Sequence, residues 1–174
     1  GTFDAAVNYA TGSGPYSIAI ADFDRDGALD LITANYNDNN ASVLIGNGDG
    51  TFGSASNFVS SGTAPYSVAV ADFNRDGKPD MALANYGTNN VTVRLNTGNS
   101  FGSAVTKTVG SNPVFLTAGD FNRDDKPDLV VANYTSDTVS ILIGNGAGSF
   151  ANAVHYDASD APVSIALTEF NRDG

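Results

Sequence analysis

Short runs that alternate larger and smaller side chains recur along the chain, and Gly, Asn or Asp residues bound each run. Three of the runs share the pattern Ser-x-Ala-x-Ala/Thr and occupy residues 17–21, 67–71 and 164–168. Residues two positions apart lie on the same face of a strand, so each run predicts a β-strand whose small residues suit a crowded inner position. After the first run, further strands are predicted at residues 29–35, 42–45 and 56–59. The pattern therefore predicts units of four short strands joined by tight turns, rather than helices.

A longer repeat runs through the whole chain. The acidic motif Asp-Phe-Asp-Arg-Asp-Gly and its variants begin at spacings of 50, 48 and 49 residues, at Asp22, Asp72, Asp120 and Glu169. A second, glycine-containing marker recurs in phase and ends at Phe52, Phe101 and Phe150. We predict one partial domain of residues 1–174 with about 3.5 repeats of ~49 residues. Counted from the acidic motif, the repeats are approximately 1–21 (partial), 22–71, 72–119, 120–168 and 169–174 (partial).

An antiparallel four-stranded unit of this length has the size of one β-propeller blade. One such unit cannot bury its hydrophobic face alone, so the repeats must stack on one another. A linear β-solenoid or a β-sandwich is the competing architecture, but a solenoid predicts shorter repeats and a sandwich predicts no constant register. We therefore predict an all-β fold made of four-stranded antiparallel propeller blades.

Each acidic motif forms a loop between the first two predicted strands of a repeat, and we name the first, second and third loops as residues 22–30, 72–80 and 120–128. Oxygen-bearing side chains occupy positions 1, 3, 5 and 9, and odd positions converge on one side of a tight loop. Calcium takes about six to eight oxygen ligands, glycine at position 6 permits the sharp turn, and the carbonyl oxygen of position 7 adds a ligand. The predicted Ca²⁺ ligands are Asp22, Asp24, Asp26, Ala28 (carbonyl) and Asp30; Asp72, Asn74, Asp76, Lys78 (carbonyl) and Asp80; and Asp120, Asn122, Asp124, Lys126 (carbonyl) and Asp128.

An EF-hand, a solvated turn and a magnesium site fit the acidic loops less well than a calcium site of this kind. An EF-hand needs a bidentate Glu at position 12 and flanking helices, whereas position 12 of the first loop is Thr33. A solvated turn held by Asx hydrogen bonds would account for one loop, but three copies in one register favour calcium. Magnesium tolerates such flexible cages poorly, which disfavours a magnesium site. We expect Asp125, which replaces the position-6 glycine, to weaken the third site. The fourth copy, residues 169–174, lacks positions 7 and 9, so we expect it to be empty or completed by another molecule.

The charge balance agrees with cation binding. The chain has 19 acidic and 8 basic residues, a net charge of −11, and 13 of the acidic residues lie in the four acidic motifs. This charge would repel nucleic acid and anionic membranes, so neither is a predicted partner. The absence of cysteine excludes disulfides and thiolate metal sites. No apolar run approaches the roughly 20 residues of a membrane span, so no membrane insertion is predicted.

The two markers together resemble the FG-GAP/VCBS repeat family, which includes integrin-α-like propellers and some lectins. Phe52-Gly53 and Phe101-Gly102 match the first half of the name-giving motif, and Gly-Thr-Ala-Pro at residues 62–65 matches the second half. The resemblance implies a β-propeller with a Ca²⁺-binding loop between the inner strands of each blade. Such propellers usually close with about seven blades. A chain with these repeats is then either a fragment of a longer propeller or a protomer that completes a seven-bladed ring as a homodimer.

The sequence predicts a binding protein rather than an enzyme. His155 is the only histidine, and the paired carboxylates repeat with the blade, as catalytic groups rarely do. The arginines at loop position 4 are predicted to pack on the neighbouring blade or to pair with loop acids. Three Ala-Asn-Tyr elements have two interpretations: a strand end whose Tyr packs between blades and whose Asn caps a turn, or a sugar site that uses stacking and hydrogen bonding. These elements occupy residues 34–36, 84–86 and 132–134.

The predicted function is therefore that of a calcium-binding propeller module for extracellular binding or adhesion. A secreted or cell-surface location is predicted, because extracellular modules bind calcium at roughly 10⁻⁴ to 10⁻³ M and free calcium outside cells would fill such sites. The predicted partners are calcium and a protein or glycan ligand. The alternatives are a carbohydrate-binding lectin with repeated inter-blade sugar sites and a non-catalytic appendage of a secreted enzyme.

Overall fold

The computed structural model describes residues 2, 5–98 and 100–168. These residues form twelve β-strands: β1 (Pro15–Ala21), β2 (Asp30–Asn35), β3 (Asn40–Leu44), β4 (Ser56–Val59), β5 (Pro65–Ala71), β6 (Asp80–Asn85), β7 (Asn90–Arg94), β8 (Val105–Thr108), β9 (Pro113–Gly119), β10 (Asp128–Asn133), β11 (Thr138–Leu142) and β12 (Val154–Asp157). They make three antiparallel sheets, β1-β2-β3-β4, β5-β6-β7-β8 and β9-β10-β11-β12, which we call blades 1, 2 and 3. In this part of the chain no helix is long and apolar enough to cross a membrane.

The all-β fold of four-stranded antiparallel blades is confirmed. In blade 1, the four predicted strands coincide with β1 to β4, and their ends differ by at most two residues. The loops between the first and second strands of each blade are the three acidic loops. The three blades do not close a ring within the described residues.

The strand predicted at residues 164–168 is not formed. The first strand of each blade pairs only with the strand that follows the acidic loop, and no such strand follows this segment within the described residues. The segment nevertheless lies beside β9, because a Cβ added to Gly119 would lie 3.0 Å from Cδ1 of Leu167. The alternating pattern thus indicates an inner position correctly, but a β-ladder requires a partner.

The blades stack face to face, with their first strands β1, β5 and β9 side by side. Blade 2 uses both faces of its sheet: Val68 packs with Ile32 of blade 1, whereas Ala69 packs with Leu116 of blade 3. The N–H of Val68 also donates to Oγ of Ser17 at 3.2 Å, which joins the first strands of blades 1 and 2. The alternation of larger and smaller residues therefore reflects two different neighbours on the two faces of one strand.

A buried asparagine ends the second strand of each blade, at Asn35, Asn85 and Asn133. In blade 1, Nδ2 of Asn35 donates to Oδ1 of Asn40 and to Oγ of Ser42, both at 2.7 Å. These bonds close the β2–β3 turn, as the turn-capping interpretation of the Ala-Asn-Tyr elements expects. A glycine lies directly against the amide: a Cβ added to Gly62 would lie 2.5 Å from Cγ of Asn85. The glycine that opens the Gly-Thr-Ala-Pro element is therefore required sterically.

The oxygen of this buried asparagine is satisfied in blade 1 and lacks a partner in blades 2 and 3. Oγ1 of Thr33 donates to Oδ1 of Asn35 at 2.9 Å. The residue in the place of Thr33 is Leu83 in blade 2 and Val131 in blade 3. Within the described part of the chain, the buried Oδ1 atoms of the corresponding asparagines have no hydrogen-bond partner.

We expect Thr33→Val to lower the free energy of unfolding by about 1–3 kcal/mol, because it leaves a buried amide oxygen without a donor. The reciprocal change Val131→Thr has nearly the same shape and brings a hydroxyl beside the oxygen of Asn133, so we expect it to raise stability by up to about 1 kcal/mol. Urea unfolding of both variants measures the two values. Destabilisation of similar size by both changes would contradict this role of the threonine hydroxyl at the asparagine site.

Candidate metal centre

The three acidic loops share one pattern of hydrogen bonds. In the first loop, the N–H groups of Asp26 and Gly27 donate to the two carboxylate oxygens of Asp22, at 3.1 and 3.0 Å. The N–H of Asp26 also donates to Oδ1 of Asp24 at 3.2 Å. The second and third loops repeat these three bonds at distances of 2.7 to 3.2 Å. The side-chain oxygens at positions 1 and 3 are thereby turned into each loop.

Two residues of each loop adopt a left-handed backbone conformation. At position 6, φ is +93° for Gly27, +83° for Gly77 and +60° for Asp125, so the third loop makes its turn with a residue that carries a side chain, as expected. At position 4, φ lies between 61° and 64° for Arg25, Arg75 and Arg123. The sequence did not predict this second left-handed position, because arginine has no preference for it.

The arginine at position 4 of the first loop reaches towards blade 2. A Cβ added to Gly77 would lie 3.9 Å from Nη1 of Arg25, which places the guanidinium next to the second loop. This contact agrees with the predicted packing on the neighbouring blade. The arginine thus contributes to the junction between two loops.

The position-9 carboxylate is fully buried in all three loops. Oδ2 of Asp30 accepts a hydrogen bond from the N–H of Phe23 at 2.7 Å, and Oδ1 accepts one from the N–H of Gly46 at 2.8 Å. Asp80 and Asp128 make the equivalent bonds in blades 2 and 3. Position 9 therefore ties the loop to the connection between the third and fourth strands of its own blade, a structural role that the sequence did not predict.

The first loop brings three of its predicted ligands together. Asp22, Asp24 and Asp30 each place one carboxylate oxygen within 4.8 Å of the other two. Among the described residues, Asp26 is not part of this group; its Oδ1 accepts a hydrogen bond from the N–H of Ala28 at 2.7 Å. Three carboxylates at this separation are hard oxygen donors of the kind that calcium takes, so the donor set fits Ca²⁺.

The second and third loops offer the same donor positions with one change. Their position-3 residues are Asn74 and Asn122, whose Oδ1 atoms accept the position-5 N–H at 3.1 Å, as the Asp24 oxygen does in the first loop. An amide keeps the hard oxygen and removes one negative charge, so these sets also fit calcium. The carbonyl oxygens of Ala28, Lys78 and Lys126 remain predicted ligands. The incomplete fourth loop at residues 169–174 lies outside the described residues.

Lysine side chains distinguish the second and third loops from the first. Nζ of Lys78 lies 2.6 Å from Oδ2 of Asp76, and Nζ of Lys126 lies 2.8 Å from Oδ2 of Asp124. Hydrogen bonds from these ammonium groups lower the pKa of both carboxyls. In the first loop, partial desolvation and the charges of neighbouring carboxylates instead raise the pKa of Asp24. The sequence predicted only the lysine carbonyl oxygens as ligands and did not indicate these ion pairs.

Burial raises the pKa of Asp80 to about 6, although two backbone N–H donors oppose the shift. The folded protein therefore holds this proton more tightly than the unfolded chain does. Its contribution to stability is present below about pH 4 and is lost as the pH rises through about 6, a loss of about 3 kcal/mol. In a chelator, we expect a ¹³C NMR titration to show the Asp80 carboxyl titrating near pH 6. A midpoint near the ordinary value of about 4 would contradict the burial of this group.

The second residue of the first loop and that of the second loop each connect to the next blade. The carbonyl oxygen of Phe23 accepts a hydrogen bond from Nδ2 of Asn96 at 2.7 Å, and the carbonyl oxygen of Phe73 accepts one from the N–H of Gly148 at 2.9 Å. The ring of Phe23 also meets the ring of Phe101 edge to face, with centroids 5.6 Å apart. Sequence reasoning missed these contacts, and the only signal for them is that the loop phenylalanine and the marker phenylalanine repeat in phase.

His155 belongs to a structural contact. Its Nδ1 lies 2.9 Å from Oγ of Ser140, a fully buried hydroxyl that also accepts a hydrogen bond from Nδ2 of Asn133 at 2.8 Å. In blade 1, Ser42 has the same register and contacts Asn57 at 2.7 Å. The serine–histidine pair thus repeats a link between the third and fourth strands that blade 1 makes without histidine.

Five of the seven tyrosines gather at the ends of the inner strands opposite the acidic loops. Tyr16, Tyr36, Tyr66, Tyr86 and Tyr134, with Val114 and Val163, line a cavity of about 400 Å³. The ring centroid of Tyr16 lies 4.9 Å from that of Tyr36 in the same blade and 4.8 Å from that of Tyr66 in blade 2. Rings of neighbouring blades therefore pack on one another. No hydrogen bond between described residues involves these five hydroxyl groups.

Stacked four-stranded sheets, each with an oxygen-rich loop after its innermost strand, define a repeat protein of the β-propeller class. The family model for the FG-GAP-like repeat matches residues 22–83, 72–131 and 120–174. The chain therefore belongs to the FG-GAP-like repeat family, and the resemblance of its two sequence markers is confirmed. Repeats of this family are generally non-catalytic modules.

Solved structures share the fold at low sequence identity. A functionally unknown protein from Desulfotomaculum acetoxidans aligns with a TM-score of 0.63 and 16% identity, over 81% of this chain and 41% of its own. Hydrazine synthase from Kuenenia stuttgartiensis aligns with a TM-score of 0.61 and 15% identity, over 94% of this chain and 41% of its own. The chain therefore spans less than half the length of either protein, and the likeness shows the fold alone. No curated protein matches the sequence.

Proposed function

We propose that the chain is a calcium-binding β-propeller module for extracellular binding or adhesion, in which Ca²⁺ stabilises the loop between the first two strands of each blade. The observation that carries the proposal is the recurrence of one donor geometry in three loops. Each loop turns the oxygens of positions 1 and 3 inward with the same N–H bonds. Positions 1, 3, 5 and 9 carry an oxygen-bearing side chain in every copy, and calcium takes hard oxygen ligands of this kind.

The chain's own residues would divide the work of holding the ion. Positions 1 and 9 supply carboxylates in every loop, position 3 supplies a carboxylate or an amide oxygen, and position 5 supplies a further carboxylate. When bound, calcium supplies the positive charge that neutralises these groups. In the first loop this charge would offset the repulsion among carboxylates that lie within 4.8 Å of one another.

Ion binding at a loop would also stabilise the junction with the next blade. The Asp30 carboxylate accepts hydrogen bonds from the N–H groups of Phe23 and Gly46. The carbonyl oxygen of Phe23 accepts one from Asn96 of blade 2. A cation that fixes the Asp30 carboxylate therefore fixes one connection of its own blade and one residue that contacts the next. Calcium would therefore stabilise the contact between two blades as well as the loop itself.

An extracellular or cell-surface location suits such sites. Extracellular calcium modules have dissociation constants of roughly 10⁻⁴ to 10⁻³ M, a range in which calcium outside cells keeps them filled. The proposed ligand of the module is a protein or a glycan. Loops that differ between the repeats, such as residues 37–41 and 157–161, are the proposed contact regions for a protein.

A further blade is proposed to cover the outer face of blade 1. Ile18 and Ile20 are 58% and 59% exposed there, whereas Val68, which has the place of Ile18 in blade 2, is 6% exposed because it packs against blade 1. A blade from a second copy of the chain would bury the two isoleucines in the same way and complete a seven-bladed ring. A blade from a longer form of the chain would do the same.

Native mass spectrometry in a calcium-containing buffer tests the ion count and the chain count together. We expect three calcium ions per chain, lost on chelation, in a dimer. The double variant Asp72→Ala, Asn74→Ala removes two ligands of one loop and should bind one ion fewer. Three ions in a monomer would retain the calcium proposal and reject the homodimer, and a metal-free chain in millimolar calcium would reject the calcium proposal.

Carbohydrate binding is the second candidate function, and the tyrosine cavity favours it. Tyrosine rings stack on the apolar faces of sugars, and hydroxyls without a protein partner can bond sugar hydroxyls. The five tyrosines share one cavity, so this candidate has one sugar site at the ends of the inner strands instead of separate sites between blades. This is a different arrangement from the repeated inter-blade sites expected of a lectin.

A glycan array followed by titration tests the sugar site. We expect Tyr66→Ala to abolish binding of any glycan that is found, because Tyr66 lies in the middle of the tyrosine cavity. Tyr156→Ala is the matched control, because Tyr156 is exposed on β12, away from the cavity. Absence of binding to every glycan at millimolar concentration would rule out this second candidate.

A further inference from the structure

The three acidic loops differ in charge. The first loop carries four aspartates and one arginine, the second carries three aspartates with one arginine and one lysine, and the third carries four aspartates with one arginine and one lysine. The first loop therefore has the largest excess of negative charge. Two positions create the difference between the first loop and the second: Asp24 stands where the second has asparagine, and Ala28 stands where it has lysine.

The lysines of the second and third loops already place a cation on a predicted calcium ligand. Nζ of Lys78 lies 2.6 Å from Asp76, and Nζ of Lys126 lies 2.8 Å from Asp124. All four side chains keep between 26% and 34% of their surface exposed, so each ammonium can leave its carboxylate for water. Lysine and calcium would compete for the same position-5 oxygen. Ala28 offers no such competitor in the first loop.

We propose that the first loop is the high-affinity calcium site of the chain. Lys78 and Lys126 compete with calcium and raise the calcium concentration that is needed to fill the other two loops. The inference rests on the proposed calcium-binding function and assigns an order to its sites. Both differences favour calcium binding at the first loop. Its additional carboxylate strengthens the attraction for a divalent cation, whereas calcium must break a lysine–aspartate ion pair in the second and third loops. We expect the first loop to fill at a calcium concentration about tenfold lower than the other two.

Stepwise filling would strengthen the blade junctions in sequence. Phe23 of the first loop bonds Asn96, so the junction between blades 1 and 2 would be stabilised at low calcium. Phe73 of the second loop bonds Gly148, so the junction between blades 2 and 3 would follow only at higher calcium. The chain would then respond to calcium over a wider range than three identical loops.

A calcium titration of the chelator-treated chain, followed by ¹H–¹⁵N NMR, tests this order. The position-6 amides of Gly27, Gly77 and Asp125 each donate to the position-1 carboxylate of their own loop, so each reports on one site. We expect the Gly27 signal to reach its midpoint at about tenfold less calcium than the signals of Gly77 and Asp125.

Exchanging the position-7 side chains separates the effect of lysine from the remaining differences between the loops. Ala28→Lys should raise the calcium midpoint of Gly27 several-fold, and Lys78→Ala should lower that of Gly77. Both variants keep the position-7 carbonyl oxygen. Lys107→Ala removes a lysine from β8, outside the loops, and is the matched control for net charge; it should leave the order of filling unchanged.

The outcomes separate this inference from the proposed function. If all three signals move at the same calcium concentration, or if the position-7 exchanges leave the midpoints where they were, the order of filling is wrong while calcium binding stands. If no signal moves in millimolar calcium, calcium binding itself is rejected. A midpoint for Gly27 that lies above those of the other two reporters would overturn the assignment of the first loop.

Discussion

Removing calcium is expected to lower the midpoint of thermal unfolding by about 10 °C. A site with a dissociation constant of roughly 10⁻³ M gains about 1.4 kcal/mol in about 10 mM calcium, so three loops with this or a lower dissociation constant together gain at least about 4 kcal/mol. A chain of this size shifts its midpoint by about 2–4 °C for each kcal/mol. Calorimetric scans of the same sample in calcium and in chelator measure the difference.

Two controls make the calcium result specific. Magnesium at equal ionic strength should give much less stabilisation, because flexible all-protein cages suit it poorly. The triple variant Asp24→Ala, Asn74→Ala, Asn122→Ala removes the position-3 oxygen of each loop, which receives a single N–H bond at 3.1 or 3.2 Å. In calcium it should unfold near the temperature of the wild type in chelator. Equal midpoints for the wild type with and without calcium would contradict a stabilising role for the ion.

Asp30→Ala is expected to lower the free energy of unfolding by about 2–5 kcal/mol even in chelator. The substitution leaves the N–H groups of Phe23 and Gly46 without their acceptor, and both hydrogen bonds are buried. Each unsatisfied buried donor costs about 1–3 kcal/mol. Chemical unfolding in the presence of chelator isolates this structural effect from any loss of metal.

Asp26→Ala is the matched control for that experiment. Asp26 lies in the same loop and accepts one N–H bond, from Ala28, but that bond is exposed, so water can replace the lost carboxylate. We expect a change of less than about 1 kcal/mol in chelator. A similar loss of stability in the two variants would show that position 9 has no structural role beyond that of an ordinary loop acid.

Much of the fold could be predicted because the relevant signals are local. The alternation at residues 17–21 specifies a strand with two different faces, and the recurrence of the acidic motif specifies the repeat. The run at 164–168 shows the limit of this reasoning, because it has the same alternation but no partner strand within the described residues. Pairing is a property of two segments, and a pattern describes only one.

The candidate site could be predicted in its ligands but not in its connections. Positions 1, 3 and 9 of the first loop come together as the spacing suggests. The bond between Asn96 and Phe23 joins residues 73 positions apart and depends on how two blades stack. The ion pair between Lys78 and Asp76 could likewise not be predicted, because the loop pattern assigns only a backbone oxygen to position 7. The tyrosine cavity arises for the same reason, from residues of separate blades that meet only in the fold.

A crystal structure of the chain grown in calcium, with anomalous diffraction data, is the decisive test of calcium binding by the three loops. We expect three anomalous peaks, one in each described loop, at about 2.3–2.6 Å from the oxygens of positions 1, 3, 5 and 9. We also expect that the Lys78 and Lys126 ammonium groups no longer contact Asp76 and Asp124. Loops without a peak in saturating calcium, with the two lysine–aspartate pairs intact, would contradict calcium binding at these positions.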